Sequence, residues 1–283
     1  MYKRQVQEIA QVAHDLTLQE GQKLLQYAST EGRPSLRAKI AQRMKEKYDT
    51  PVEADDILIT TGSQQCLDFA AKLFLDPGDV VLCESPSYLG ALNAFNAYEP
   101  IFKEVPTDAD GIIPEELDKI LSTTPNCKFI YVIPEFQNPT GISWTLERRK
   151  KFMEVITKYE LPVFEDNPYG ELRYSGTPHP TLKSMDTKGL VSFLGTFSKI
   201  FCPGLRLGWI AGPHAIVDKF VLIKQSADLH TSNFDQGLVD AYMDTYDLDA
   251  HVKEIVALYG HRRDLILKTC LLYTSDAADE RSS

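Results

Sequence analysis

Basic residues are in short supply. Thirty lysines and arginines face forty aspartates and glutamates in 283 residues, a net charge of −10. That balance excludes a surface built to neutralise phosphate backbones, so no nucleic-acid partner is expected. Long apolar runs are missing too. The longest, Phe129-Ile130-Tyr131-Val132-Ile133, is far too short to span a bilayer. Residues 1–20 hold no unbroken apolar segment of the signal-peptide kind, so no membrane partner is expected. The five cysteines, at 66, 83, 127, 202 and 270, form no CxxC pair and no His/Cys cluster with zinc spacing. Internal repeats and low-complexity linkers are absent. These absences point to a soluble, cytoplasmic chain without a metal. What is present is 43% hydrophobic and 10% aromatic residues, enough for a sizeable core and one large domain or two ordinary ones.

Both ends look foreign to the rest. Met1-Tyr2-Lys3-Arg4-Gln5 matches a transposon-type sequencing adapter read as protein from a GTG start. Leu271-Leu272-Tyr273-Thr274-Ser275-Asp276-Ala277-Ala278-Asp279 matches the translated reverse complement of the same adapter, against the alternative of a natural polar tail. The expectation is that residues 6–269 are biological and that they come from a longer gene.

Along that stretch, short apolar runs alternate with segments of helical period, the pattern of a mostly parallel sheet covered by helices. Strands are predicted at Ile57–Thr60, Val80–Cys83, Ile101–Val105, Lys128–Ile133, Val163–Glu165, Val191–Leu194 and Leu207–Ala211. Helices are predicted over Gln64–Leu75, Tyr88–Ala97, Glu147–Tyr159 and from Pro114. Beyond Pro213 the chain reads as wholly helical, with a long amphipathic helix starting at Asp249. Open sheets of this kind bind ligands at the carboxyl ends of their strands, which directs attention to the polar residues there.

Thr61-Gly62-Ser63-Gln64-Gln65 joins a strand to a helix. It is either an ordinary capped turn, with Ser63 as the N-cap, or an anion site in which Ser63, the helix dipole and free N–H groups hold a phosphate. Gly195-Thr196-Phe197-Ser198-Lys199 follows another strand, and Pro203-Gly204-Leu205-Arg206-Leu207-Gly208 returns an arginine beside it. A lone lysine is usually a solvated surface charge. Here Lys199 lies between apolar strands, so the expectation is a desolvated amine of lowered pKa, nucleophilic toward an aldehyde, with Arg206 as a bidentate phosphate partner. Asp166, in Glu165-Asp166-Asn167-Pro168-Tyr169, is either a turn residue or the partner of a protonated pyridine nitrogen. Asn138, in Asn138-Pro139-Thr140-Gly141, sits in a turn from which it can donate to a phenolate oxygen. Tyr88 is either a core aromatic or a residue stacked on a flat ring.

Together these motifs, with Tyr27-Ala28-Ser29-Thr30-Glu31-Gly32-Arg33-Pro34-Ser35-Leu36-Arg37 before them, resemble the fold-type I pyridoxal-phosphate-dependent aminotransferases over about residues 22–269. The likeness is to the class I/II branch that holds 2-aminoadipate and aromatic aminotransferases. The resemblance implies an α/β fold with a mostly parallel central sheet sandwiched by helices, and pyridoxal 5'-phosphate as cofactor. It implies that Lys199 forms a Schiff base with the coenzyme and later moves the proton. Asp166 matches the ring-nitrogen partner, and Asn138 and Tyr169 match the donors to the phenolate oxygen. Ser63, Gln64, Ser198 and Arg206 match the phosphate cradle, and Tyr88 the stacking aromatic. Tyr27 matches a tyrosine lent to the phosphate of a neighbouring subunit, which implies a homodimer. The substrates implied are an L-amino acid and a 2-oxo acid such as 2-oxoglutarate.

On this resemblance residues 1–5 and 270–283 are adapter-derived, 6–248 form an N-terminally truncated coenzyme-binding domain, and 249–269 begin the helix toward a small C-terminal domain that is largely missing. The arginine that clamps the substrate carboxylate belongs to that domain; Arg262 and Arg263 read as surface charges. The chain is therefore expected to hold the cofactor and turn over poorly. The same motifs fit two other readings: the effector domain of a MocR-type transcription regulator, and a pyridoxal-phosphate-dependent β-lyase.

Overall fold

A computed structural model describes residues 3–279 in backbone terms and the side chains of residues 5–270. The stretches read as adapter-derived, 1–5 and 270–283, fall mostly outside the residues whose side chains are described. Among the described residues the element order is α1 (Lys3–Leu24), α2 (Pro34–Tyr48), β1 (Ile57–Thr61), α3 (Ser63–Phe74), β2 (Val80–Glu84), α4 (Leu89–Asn96), β3 (Ile101–Val105), β4 (Thr107–Asp108), β5 (Gly111–Ile112), α5 (Pro114–Thr123), β6 (Cys127–Val132), α6 (Leu146–Tyr159), β7 (Val163–Asp166), α7 (Leu182–Met185), β8 (Val191–Thr196), β9 (Leu207–Ala211), α8 (His214–Ala227), α9 (Asn233–Thr245) and α10 (Leu248–Asp279). No described helix is long and apolar enough to cross a membrane.

Seven strands form one sheet in the order β1-β9-β8-β7-β6-β2-β3, and β4 and β5 make a separate hairpin. Neighbouring strands from β3 to β8 are parallel, while β9 is antiparallel to both β8 and β1. The mostly parallel sheet expected from the sequence is therefore present, with β9 as its one reversed strand.

Side chains alternate across the sheet with period two, and the two faces are buried against different helices. Leu58, Val81, Phe129, Tyr131, Phe164, Leu194 and Ile210 pack on one face with Phe69, Phe95 and Phe220 of α3, α4 and α8. The opposite face divides into two regions. Leu82, Ile130, Val132, Val163 and Val191 meet α5, α6 and α7 through Leu117, Phe152 and Leu182. Ile57, Ile59, Phe193, Trp209 and Ala211 meet α1, α2, α9 and α10 through Leu16, Ile40, Val239 and Val252. Phe129 anchors the first face, with ring centroids 5.1 Å from Phe164 and 5.2 Å from Phe95, edge to face. Such pairs contribute about 0.5–1.5 kcal/mol each beyond their burial.

Candidate active site

The sheet topology gathers the polar residues. Because β1, β2, β6, β7 and β8 run in one sense, their carboxyl ends deliver Ser63, Tyr88, Asn138, Asp166 and Lys199 to a single edge. The reversed β9 begins at that same edge, so Arg206, directly before it, arrives there too. A cavity of about 150 Å3 is lined by Ser63, Gln64, Tyr88, Asn138, Asp166, Tyr169, Ser198, Lys199 and Arg206. The structure thus brings nine of the ten residues singled out from the sequence into one pocket. Tyr27 is not among them: it is 84% exposed, with its ring centroid 6.0 Å from that of His230 in an edge-to-face arrangement.

Asp166 closes β7 and is buried. Its Oδ2 accepts from the hydroxyl of Tyr131 at 2.7 Å, while Oδ1 is buried with no hydrogen-bond partner. Burial pushes the carboxyl up to about 6, against the lowering effect of Tyr131 and the Asn167 N–H. A buried oxygen left without a donor costs roughly 1–3 kcal/mol, so a ligand N–H at Oδ1 would satisfy it. Tyr131 is a residue that sequence reasoning missed, reading it only as part of an apolar run. The available signal was a phenol in a strand buried on both faces, whose hydroxyl must find a partner.

At the other end of the pocket, Gly62 has φ +74° and is the N-cap of α3, without a side-chain cap bond. The expectation that Ser63 caps this helix is corrected: Ser63 is its first helical residue. A Cβ at position 62 would lie 2.5 Å from an Arg206 guanidinium nitrogen and would push that side chain aside, and the positive φ strains any residue but glycine. The Gln65 N–H donates to the Gly62 carbonyl at 3.2 Å, while those of Ser63 and Gln64 come too early for an acceptor within the helix, which with the guanidinium makes this end of α3 suited to an anion. Arg206 itself adopts left-handed backbone, φ 52°, and its Nη1 lies 3.4 Å from Ser198 Oγ. Gln64 Nε2 donates to the carbonyl of Gly90 at 2.8 Å, tying α3 to α4. That contact leaves Tyr88 packed over Gly90, where a Cβ would strike the phenol ring.

Lys199 follows β8 in a turn, and its Nζ lies 5.7 Å from the centre of the Tyr169 ring. The expected desolvation is not found, because Lys199 is exposed in the single chain. The physical reason is position: three residues past the end of the strand, the amine stands at the mouth of the pocket, under a wider cleft of about 1110 Å3. Arg262 and Arg263, read from the sequence as surface charges, are exposed and also line that cleft. Tyr169 is half-buried, and burial raises its hydroxyl pKa while a hydrogen bond from Asn138 lowers it.

The fold and pocket together define a chain of the fold-type I, pyridoxal-phosphate class. The chain belongs to the aminotransferase class I and II family, whose profile matches residues 1–272. It is 41% identical over 267 residues to aromatic-amino-acid aminotransferase 1 of Thermococcus litoralis, covering 93% of this chain and 64% of that protein. It is 40% identical over 237 residues to the 2-aminoadipate transaminase of Thermus thermophilus, covering 82% of this chain and 58% of the relative. Among solved structures, Pyrococcus horikoshii kynurenine aminotransferase superposes with a TM-score of 0.88 at 41% identity, over 93% of this chain and 66% of that one. A lower similarity, 31% over 262 residues, links 91% of the chain to 53% of the HTH-type transcriptional regulator YisV of Bacillus subtilis. The chain thus spans 53–66% of the lengths of these proteins, less than two thirds.

Proposed function

We propose that the chain carries the coenzyme site of a pyridoxal-5'-phosphate-dependent aminotransferase that moves an amino group from an L-amino acid to a 2-oxo acid. The observation that carries this reading is the unpartnered, buried Oδ1 of Asp166, set in the same pocket as the Lys199 amine. Pyridoxal phosphate, when bound, supplies an aldehyde that captures amines and a cationic ring that draws electrons from the α-carbon. Asp166 Oδ1 would hold the proton of the ring nitrogen, and Tyr131 keeps Oδ2 occupied so that the other oxygen faces the pocket. Asn138 and Tyr169 would donate to the ring oxygen, and Tyr88 would lie against the ring face. Ser63, Gln64, Ser198, Arg206 and the first-turn N–H groups of α3 would hold the phosphate. Lys199 Nζ is the nucleophilic amine and the atom that carries the proton during exchange.

The likeness to aminotransferases of the class I and II branch extends the proposal to a cytoplasmic homodimer in which Tyr27 serves the phosphate site of the second subunit. Its exposure supports that role, since this chain's own pocket leaves it outside. Residues 6–248 then form the coenzyme-binding domain, with 249–269 leading into the next. The similarity to YisV keeps a regulator effector domain as the second reading.

Absorbance tests the site. Pyridoxal phosphate added to the purified chain is expected to give a visible band that borohydride abolishes and that Lys199→Ala never forms. A covalent band retained by Lys199→Ala overturns the assignment. Amino transfer to 2-oxoglutarate separates the enzyme from the regulator, and pyruvate with ammonia released in the absence of any 2-oxo acid marks a β-lyase.

A further inference from the structure

A second buried carboxyl lies behind the pocket. Glu84, the last residue of β2, is 2% exposed and meets no solvent-facing partner. Its Oε2 accepts from the backbone N–H of Ile133 at 2.8 Å and its Oε1 from the indole N–H of Trp144 at 3.1 Å. Ile133 and Trp144 are the two ends of the loop that carries Asn138, and the carbonyl of Pro134 also accepts from the Trp144 N–H at 2.9 Å. One carboxyl therefore staples the base of that loop to the end of a different strand.

The side-chain amide of Gln137, next to Asn138, acts on the same carboxyl, lowering its pKa as the Ile133 and Trp144 donors do. Gln137 is itself buried, and its connections run three ways. Nε2 donates to the carbonyl of Pro86 at 2.7 Å, in the loop that leads to Tyr88. Oε1 accepts from the Thr140 N–H at 2.9 Å and from the Thr140 hydroxyl at 2.7 Å. Its own backbone N–H donates to the carbonyl of Ile142 at 2.8 Å. No other described side chain ties the Asn138 loop to the Tyr88 loop in this way among the hydrogen bonds given above.

We propose that Glu84 is a positioning residue: with Gln137 and Trp144 it locks the Asn138 loop and the Tyr88 loop into one unit, so that the donor to the ring edge and the aromatic on the ring face keep a fixed mutual geometry. This rests on the coenzyme site assigned above, and Glu84 itself touches neither coenzyme nor substrate. Two adjacent loops with independent motion would each have to be ordered on binding, whereas a joint unit is ordered by folding. A buried carboxyl that takes two N–H donors from the Asn138 loop, beside a glutamine that bonds the Pro86 carbonyl, is the device that joins them.

The test uses the whole chain and two variants. Glu84→Gln keeps the shape but turns an NH2 group toward a donor. Gln137→Leu removes the link to Pro86 and leaves the Ile133 and Trp144 bonds intact. Without coenzyme, amide hydrogen exchange is expected to rise about tenfold or more over residues 134–143 in Glu84→Gln, and over both that loop and residues 85–90 in Gln137→Leu, with the strand amides of β6 and β7 unchanged. With pyridoxal phosphate bound, the pH midpoint of the visible band is expected to move upward by roughly 0.5–1 unit in each variant, the direction set by losing a donor to the ring oxygen. Asn138→Ala should move it the same way, and Glu84→Gln added to Asn138→Ala should add little, as expected for groups acting through one another.

Unchanged exchange in both loops overturns the proposal, and so does an unchanged midpoint beside a shifted one in Asn138→Ala. If Glu84→Gln does not fold, Gln137→Leu decides alone by the same two readouts. A wild-type chain that forms no visible band sinks the coenzyme assignment, and the exchange measurement still judges the clamp.

Discussion

The two ends of the pocket are built differently. At the Asp166 end, Tyr131, Asp166, Glu84, Gln137 and Trp144 are buried and bonded to one another or to backbone. At the Lys199 end, Gln64, Lys199 and Arg206 are exposed, and Arg206 reaches Ser198 only at 3.4 Å. The contrast follows from the sheet. Asp166 and Glu84 are the last residues of β7 and β2, each in register with one neighbouring strand, Asp166 with Leu194 and Glu84 with Val105, whereas Lys199 and Arg206 stand in the turn between β8 and the reversed β9. Folding alone therefore shapes the part that would read a ring, and the part that would take an aldehyde and a phosphate stays open to solvent.

Breaking the buried end should have the larger effect. Asp166→Asn removes the charge that would keep a ring nitrogen protonated, and amino transfer is expected to fall on the order of a hundredfold or more. The coenzyme-free variant should nevertheless gain stability at pH 8, on the order of 1 kcal/mol, because a buried carboxyl pushed up to about 6 no longer has to ionise there. Steady-state kinetics beside urea unfolding would show both, and a variant that loses stability would mean that Asp166 is a structural partner of Tyr131 first. Arg206→Ala probes the open end. It should weaken pyridoxal-phosphate binding about tenfold to a hundredfold through the lost phosphate contact, while unfolding stability changes by less than about 1 kcal/mol. A large loss of stability would erase the contrast between the two ends, since Arg206 would then be part of the packed structure.

The strands, the order of the motifs and the residues of the pocket were legible because each motif lies where a strand ends, and strand ends show in a sequence as an apolar run stopping at Gly, Pro, Asn or Asp. Three features were not. The exposure of Lys199 depends on what stands over the pocket mouth, and no local pattern encodes that. Gly62 rather than Ser63 caps α3, with φ +74°, and the guanidinium of Arg206, which leads into β9, lies against it, a contact between residues far apart in sequence. Glu84, Gln137 and Trp144 passed unread for the same reason: each looks unremarkable alone, and their meaning lies in hydrogen bonds across β2, β6 and the loop before α6.

The pH dependence of stability is the most direct check on how tightly the recognition end is closed. Burial pushes the Glu84 carboxyl from its ordinary 4.5 up to about 8, outweighing the Ile133, Trp144 and Gln137 donors. A folded-state value above the unfolded one means that the stabilising contribution is complete below about pH 4.5 and is lost as pH rises through about 8. Between those limits the slope is at most about 1.4 kcal/mol per pH unit. Glu165 and Asp166 are pushed upward as well, to about 7 and about 6, so the wild-type curve alone mixes three groups. The difference between wild type and Glu84→Gln cancels the other two, because the amide does not titrate. Urea unfolding at several pH values from 5 to 9 should therefore show the wild type losing its advantage over Glu84→Gln as pH rises. Parallel curves would mean that water reaches Glu84, and a carboxyl open to water would leave the recognition end no more closed than the lysine end.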